Sequence, residues 1–154
     1  MFQFRLLLFV SLLSSLWLEG CATPPHASSI QDQNLSIGEL KHIVKDFLPV
    51  GVRKLSANGR EYTSEYFVYE NNEYKAPTDK KFRFFCKIEI MNTSRPFDIM
   101  ITAFREVRDD RPSGYRFVSD GPDVRLAKLL KQQLRDRLAK RRDDLNVLDD
   151  FKVF

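Results

Sequence analysis

Few side chains in this 154-residue chain are of types that carry chemistry. Cys21 and Cys86 are its two cysteines, and His26 and His42 its two histidines. No HxxxH or CxxC spacing joins them, so they offer no zinc-type ligand set. There is no Gly-rich phosphate loop and no GxSxG nucleophile elbow. The acid pairs Asp109-Asp110, Asp143-Asp144 and Asp149-Asp150 could serve as general acids or cation ligands. Each falls at a turn or a helix end, where solvated charge is the simpler reading. Asn92-Thr93-Ser94 has the spacing of a glycosylation acceptor and reads as a hairpin loop. No catalytic residue, metal or cofactor is expected, and the chain reads as a non-enzyme.

One cysteine stands in a context with chemistry of its own. Arg5 and the amino terminus carry positive charge, and Leu6 to Leu18 form an apolar block of 13 residues, closed by Glu19. As a helix it would span about 20 Å, against a hydrocarbon core of roughly 30 Å. That is short for a membrane span and right for a removable export signal over residues 1–20. Leu18-Glu19-Gly20-Cys21 resembles the lipobox of bacterial lipoproteins: an aliphatic residue, two intervening positions ending in a small one, then the cysteine. The resemblance implies that Cys21 receives a diacylglycerol thioether and becomes the first mature residue, acylated at its new amino terminus. Several acyl chains at ~0.8 kcal/mol per buried methylene hold a protein firmly where one does not. Ala22 after the cysteine is similar to lipoproteins sent to the outer membrane, facing the periplasm.

Loss of residues 1–20 leaves 134 residues, enough for one domain with its own core. The leader holds one base, Arg5, and one acid, Glu19, so the net charge stays at +4. For an exported protein this mild basicity favours anionic lipid headgroups over nucleic acid. With Cys21 acylated, Cys86 has no partner for a disulfide. It shares strand alternation with Phe82, Phe84, Ile88 and Ile90, so it is expected to be a buried, inert thiol.

The elements follow from periodicity and punctuation. Residues 21–34 are polar with two prolines, and read as a tether reaching about 46 Å at most. Ser36-Ile37-Gly38-Glu39 matches the capping box of a helix whose stripe is Leu40, Val44, Phe47 and Leu48, stopped by Pro49. Val52–Leu55, the turn Asn58-Gly59 and Tyr62–Tyr69 suggest strands, and residues 71–79 a long loop. Lys81–Met91 and Phe97–Val107 alternate clearly. Pairing residues whose numbers sum to 189 places Phe85 opposite Phe104 and Arg83 opposite Glu106, which stabilises the hairpin. A sum of 187 shortens the loop but opposes Glu89 to Asp98. Asp109–Gly114 reads as a polar turn and Tyr115–Val118 as a short last strand. Asp120-Gly121-Pro122-Asp123 then opens a long helix with Leu126, Leu130, Leu134 and Leu138 on one face. The apolar tail after Asp144 is expected to dock. The sum is an α+β domain over 35–154, an antiparallel sheet of about four or five strands with both helices on one face. In size, anchor and element types it is similar to other small envelope lipoproteins, such as the lipopolysaccharide-assembly lipoprotein that plugs a barrel translocon.

Two surfaces remain for binding. The long helix carries Arg125, Lys128, Lys131, Arg135, Arg137, Lys140, Arg141 and Arg142 against Asp123 and Asp136. Such a face can meet anionic lipid, including lipopolysaccharide, or can simply keep a core helix soluble. On the sheet's outer face Phe85, Phe104, Met91 and Met100 sit among charges. That face is a candidate protein contact unless the 71–80 loop or the tail covers it. The expected partners are thus the membrane, through Cys21, and another envelope protein.

Overall fold

A computed structural model describes residues 26–78 and 80–150, the side chains of 144–150 excepted. The leader and Cys21 lie outside the described residues, as do 151–154.

The chain is α+β. Among the described residues eight strands and two helices follow in the order β1 (Ser28–Gln33), α1 (Ile37–Phe47), β2 (Val52–Leu55), β3 (Glu61–Ser64), β4 (Val68–Glu70), β5 (Glu73–Lys75), β6 (Phe82–Ile90), β7 (Phe97–Arg111), β8 (Gly114–Pro122) and α2 (Val124–Asp150). Six strands make the main antiparallel sheet, and β4 and β5 a separate two-stranded one. The longest strand, β7, organises the rest. One edge takes β6, followed outward by β3 and β2. Its other edge is shared end to end: β1 pairs with Phe97–Ile101 and β8 with Phe104–Arg111.

The β6–β7 register keeps a sum of 189 throughout, from Phe82 opposite Val107 to Ile90 opposite Ile99. Alternation then divides the sheet. Cys86, Ile88, Ile90, Ile99, Ile101 and Ala103 point to one side and are buried there with the stripes of both helices. From α1 come Leu40, Val44 and Phe47; from α2, Leu126, Leu130, Leu134 and Leu138. Each helix is capped from its own sequence. Ser36 Oγ accepts from Glu39 N at 3.2 Å while the Glu39 carboxylate accepts from Ser36 N at 3.0 Å. At α2, Asp123 Oδ1 accepts from Leu126 N at 2.8 Å. The thiol of Cys86 is fully buried, and burial pushes its pKa up to about 12, opposed weakly by the Ser64 hydroxyl. As a thiolate-poor core group it is inert.

Several expectations are corrected. Residues 28–33 are a strand of the sheet and not part of a tether: β7 offers an unpaired edge, and Ser28 and Ile30 alternate into the core. The fold therefore begins by Ser28 and not at residue 35. The strands number six in the main sheet where four or five were expected. The 71–79 loop contains a hairpin, because Asn71 and Asn72 both adopt positive φ (54° and 62°), the geometry of a tight two-residue turn. Tyr74 of that hairpin packs on the core and its hydroxyl donates to Gln133 on α2 at 2.6 Å. Asp109–Arg111 continues β7, pairing out to Arg111 opposite Gly114. Asp120, Gly121 and Pro122 end β8 instead of opening the helix. A register shift there is accommodated by Gly121 at φ 99°, and Asp123 is the cap. Past Asp144 the backbone stays helical to Asp150; the expected docking of the tail lies outside the described side chains.

Leu134 is fully buried in this single core. Leu134→Ala is expected to lower the unfolding free energy by about 2–5 kcal/mol, measured by urea denaturation. A smaller loss would mean that the α2–sheet contact is loose. Glu39 titrates below its ordinary value of 4.5, held ionised chiefly by the Ser36 hydroxyl and amide, with Arg141 adding a little. A carboxylate with a depressed folded pKa stabilises above its unfolded pKa and loses that contribution as pH falls through the folded one. Glu39→Ala should therefore lower Tm at pH 7, and the gap to the parent should narrow steadily below pH 4.5. A pH-independent gap would remove the carboxylate from the cap.

Candidate functional site

The outer face of the sheet, turned away from both helices, carries a layered cluster of arginines and aromatic rings. Strands β6 and β7 set Phe85 and Phe104 directly opposite each other, and their rings stack at 4.9 Å with 16° between planes. Two pairs along, on the same face, Arg83 lies opposite Glu106, with Nη2 and Nε both on Oε2, at 2.6 and 2.7 Å. Tyr66, in the segment between β3 and β4, meets Phe85 edge-on at 5.9 Å. The guanidinium of Arg53 from β2 covers Tyr66 at 4.1 Å, and Arg83 lies 3.5 Å from the same ring. Arg83 also sits 3.9 Å from Phe117 of β8. The result is a stack, Arg53–Tyr66–Arg83–Phe117, running across the sheet beside the Phe85–Phe104 pair.

This arrangement follows from alternation. Phe85, Arg83, Phe104 and Glu106 are outward by the same period that sends Cys86 and Ala103 inward. A planar guanidinium can stack on aromatic faces while its edge bonds a carboxylate, which an ammonium cannot do. The β4–β5 hairpin lies on the helix-bearing side, where Tyr74 packs against Phe67 and the core. Of the four residues expected here, the fold brings together Phe85 and Phe104. Met100 is on the same face but about 13 Å away, four residues down β7. Met91 lies past the end of β6, 43% exposed. Tyr66 and Phe117 were missed. Tyr66 falls inside a continuous strand-like run, and Phe117 joins because β7 runs past its expected end at Val107 and pairs Arg108 with Phe117.

The cations of α2 divide by the neighbour they face. Toward α1, Arg141 lies 4.0 Å from the Glu39 carboxylate, and Arg137 donates to the Asp46 carbonyl at 3.1 Å. Arg125, Lys128 and Lys140 are exposed. Toward β1, Lys131, Arg135 and Arg142 line a groove of about 830 Å³ whose other wall is the Ser29–Leu35 segment. Among the described residues none of these three has an ion-pair partner.

No three His, Cys, Asp or Glu side chains converge among the described residues, and His42 pairs with Asp46 at 3.4 Å on the surface of α1. No described helix is long and apolar enough to cross a membrane.

Arg83→Lys keeps the charge opposite Glu106 but removes the planar stacking on Tyr66 and Phe117. It is expected to cost ~1–2 kcal/mol in chemical denaturation, and an unchanged midpoint would reduce Arg83 to a simple ion-pair partner. The chain matches no protein-family model, no curated protein and no solved structure.

Proposed function

We propose that this protein is a lipid-anchored, non-enzymatic interaction module of the bacterial envelope, held at the outer membrane through acylated Cys21 and facing the periplasm. The lipobox-like Leu18-Glu19-Gly20-Cys21 and the short apolar leader support the anchoring. The observation that carries the interaction role is the stacked arginine–aromatic face. Tyr66, Arg83, Phe85, Phe104 and Phe117, stacked on a sheet and half-buried, with Arg53 exposed over them, have the composition of a contact surface for another envelope protein. Their mutual stacking fixes the rotamers in advance, which lowers the ordering cost of association.

The incorporation of β1 into the sheet changes how such an anchor would work. From Cys21 to Ser28 the chain can reach only about 25 Å, half the span of a tether ending at residue 34. The domain is then held close against the bilayer, within reach of a partner embedded in it.

The test has two arms. In the native host, wild-type protein should incorporate labelled palmitate and Cys21→Ala should not. Photo-crosslinking residues placed at Arg53 and Phe117 should give an adduct of one discrete mass, whereas the same residue at Lys128 on α2 should not. Adducts from all three positions alike, or from none, would remove the outer face as the contact surface. Absence of palmitate would remove the anchor.

A further inference from the structure

The groove between β1 and α2 is distinct from the outer sheet face and carries its own charge logic. At about 100° per residue, Lys131, Arg135 and Arg142 fall within an arc of roughly 40° on the helix and extend along some 16 Å of it. They form one file of positive charge on a single wall. The facing wall supplies carboxamides, Gln31 and Asn34, and Asp32 as its acid, so cations outnumber anions three to one in the lining.

The asymmetry of α2 is the telling feature. Its cations on the α1 side are engaged, Arg141 by Glu39 and Arg137 by the Asp46 carbonyl and the ring of Phe47. Those on the β1 side have no ion-pair partner among the described residues. A file of like charges against a concave, partly low-dielectric wall repels itself and focuses a positive potential into the groove. Charge-assisted bonds from two guanidiniums and an ammonium would relieve that repulsion, and guanidinium geometry suits phosphate oxygens in particular. The β1 wall is poorly suited to a peptide strand. The strand is bulged between Ile30 and Gln33, Asp32 sits at φ 59°, and the Gln33 side chain bonds the Gln31 carbonyl at 2.6 Å.

We propose that this groove is a binding site for a compact phosphate-bearing anion, clamped by Lys131, Arg135 and Arg142 with Gln31 and Asn34 opposite. A volume of about 830 Å³ accommodates a phosphorylated headgroup or a small soluble phosphate ester. The assignment stands apart from the anchoring of Cys21 and from the outer sheet face.

Calorimetric titration of the purified full-length protein tests it, with two probes: inorganic pyrophosphate, and monomeric short-chain phosphatidic acid below its micellar concentration. Saturable one-site binding of pyrophosphate is expected. The Arg135→Gln/Arg142→Gln variant should bind at least about tenfold more weakly, while Arg125→Gln/Lys128→Gln, which removes the same charge outside the groove, should change affinity by less than about twofold. Binding of the short-chain lipid with the same sensitivity to Arg135 and Arg142 identifies a lipid headgroup as the source of the phosphate; binding of pyrophosphate alone identifies a soluble one. Equal losses in both double variants would show diffuse attraction to net charge and overturn the site, as would the failure of both probes to bind the parent. Far-ultraviolet circular dichroism of each variant separates a lost ligand from a lost fold.

Discussion

Along β7, successive side chains must leave opposite faces of the sheet, and both of the strand's edges are bonded to neighbours. That constraint places every other feature of the molecule. Ile99, Ile101 and Ala103 go to the core, so Phe104 and Glu106 go to the outer face. A slip of one residue against β6 would drive Glu89 and Arg83 inward and expel Ile88 and Cys86. The buried pairs and the outer stack therefore depend on the same register. Phe85 on Phe104 and Arg83 on Glu106 reinforce it from outside while the aliphatic layer reinforces it from within.

Sharing of one β7 edge between β1 and β8 follows from length. Fifteen residues of β7 are too many for the six of β1 to cover, and β8 takes the remainder. Since both run antiparallel to β7, they point the same way, and α2 begins where β8 ends, beside the start of β1. The Asp123 amide bonds the Ala103 carbonyl at 2.8 Å, two residues from where Ser28 pairs with Ile101. The helix then runs alongside β1 and forms the groove with it. The groove is thus a consequence of the sheet's topology, and β1 is as much a wall of it as α2.

The legible parts of this fold were those written in strong local periodicity. The Leu126–Leu138 stripe, the Ser36–Glu39 box and the β6–β7 alternation each repeat a signal several times within one segment. What escaped was decided by partners distant in sequence. Ser28–Gln33 contains a single large apolar residue, Ile30, and becomes a strand only because β7, some 70 residues later, leaves an edge to fill. Asp109–Arg111 looks like a turn by composition but pairs with β8 as a ribbon, with Asp109 3.4 Å from Arg116. The same limit applied to the sites. The eight basic residues of α2 were visible as a run, yet which three converge on a groove depended on where β1 lies.

Division of labour along α2 bears on how an anchored domain would meet a bilayer. Were Cys21 acylated, the leash would enter the fold at Ser28, beside the amino-terminal end of α2, and the cations nearest the membrane would be Arg125 and Lys128. Both are exposed and free to meet headgroups at the surface. Arg135 and Arg142 lie about two to five turns beyond Arg125 and Lys128, some 10 to 26 Å further along the helix axis. A headgroup still seated in the leaflet would reach them only if the domain lay on its β1–α2 side; an upright domain would leave them to a phosphate already withdrawn from the membrane. Surface attraction and groove binding are therefore different tasks for different residues of one helix, set apart by axial distance more than by charge.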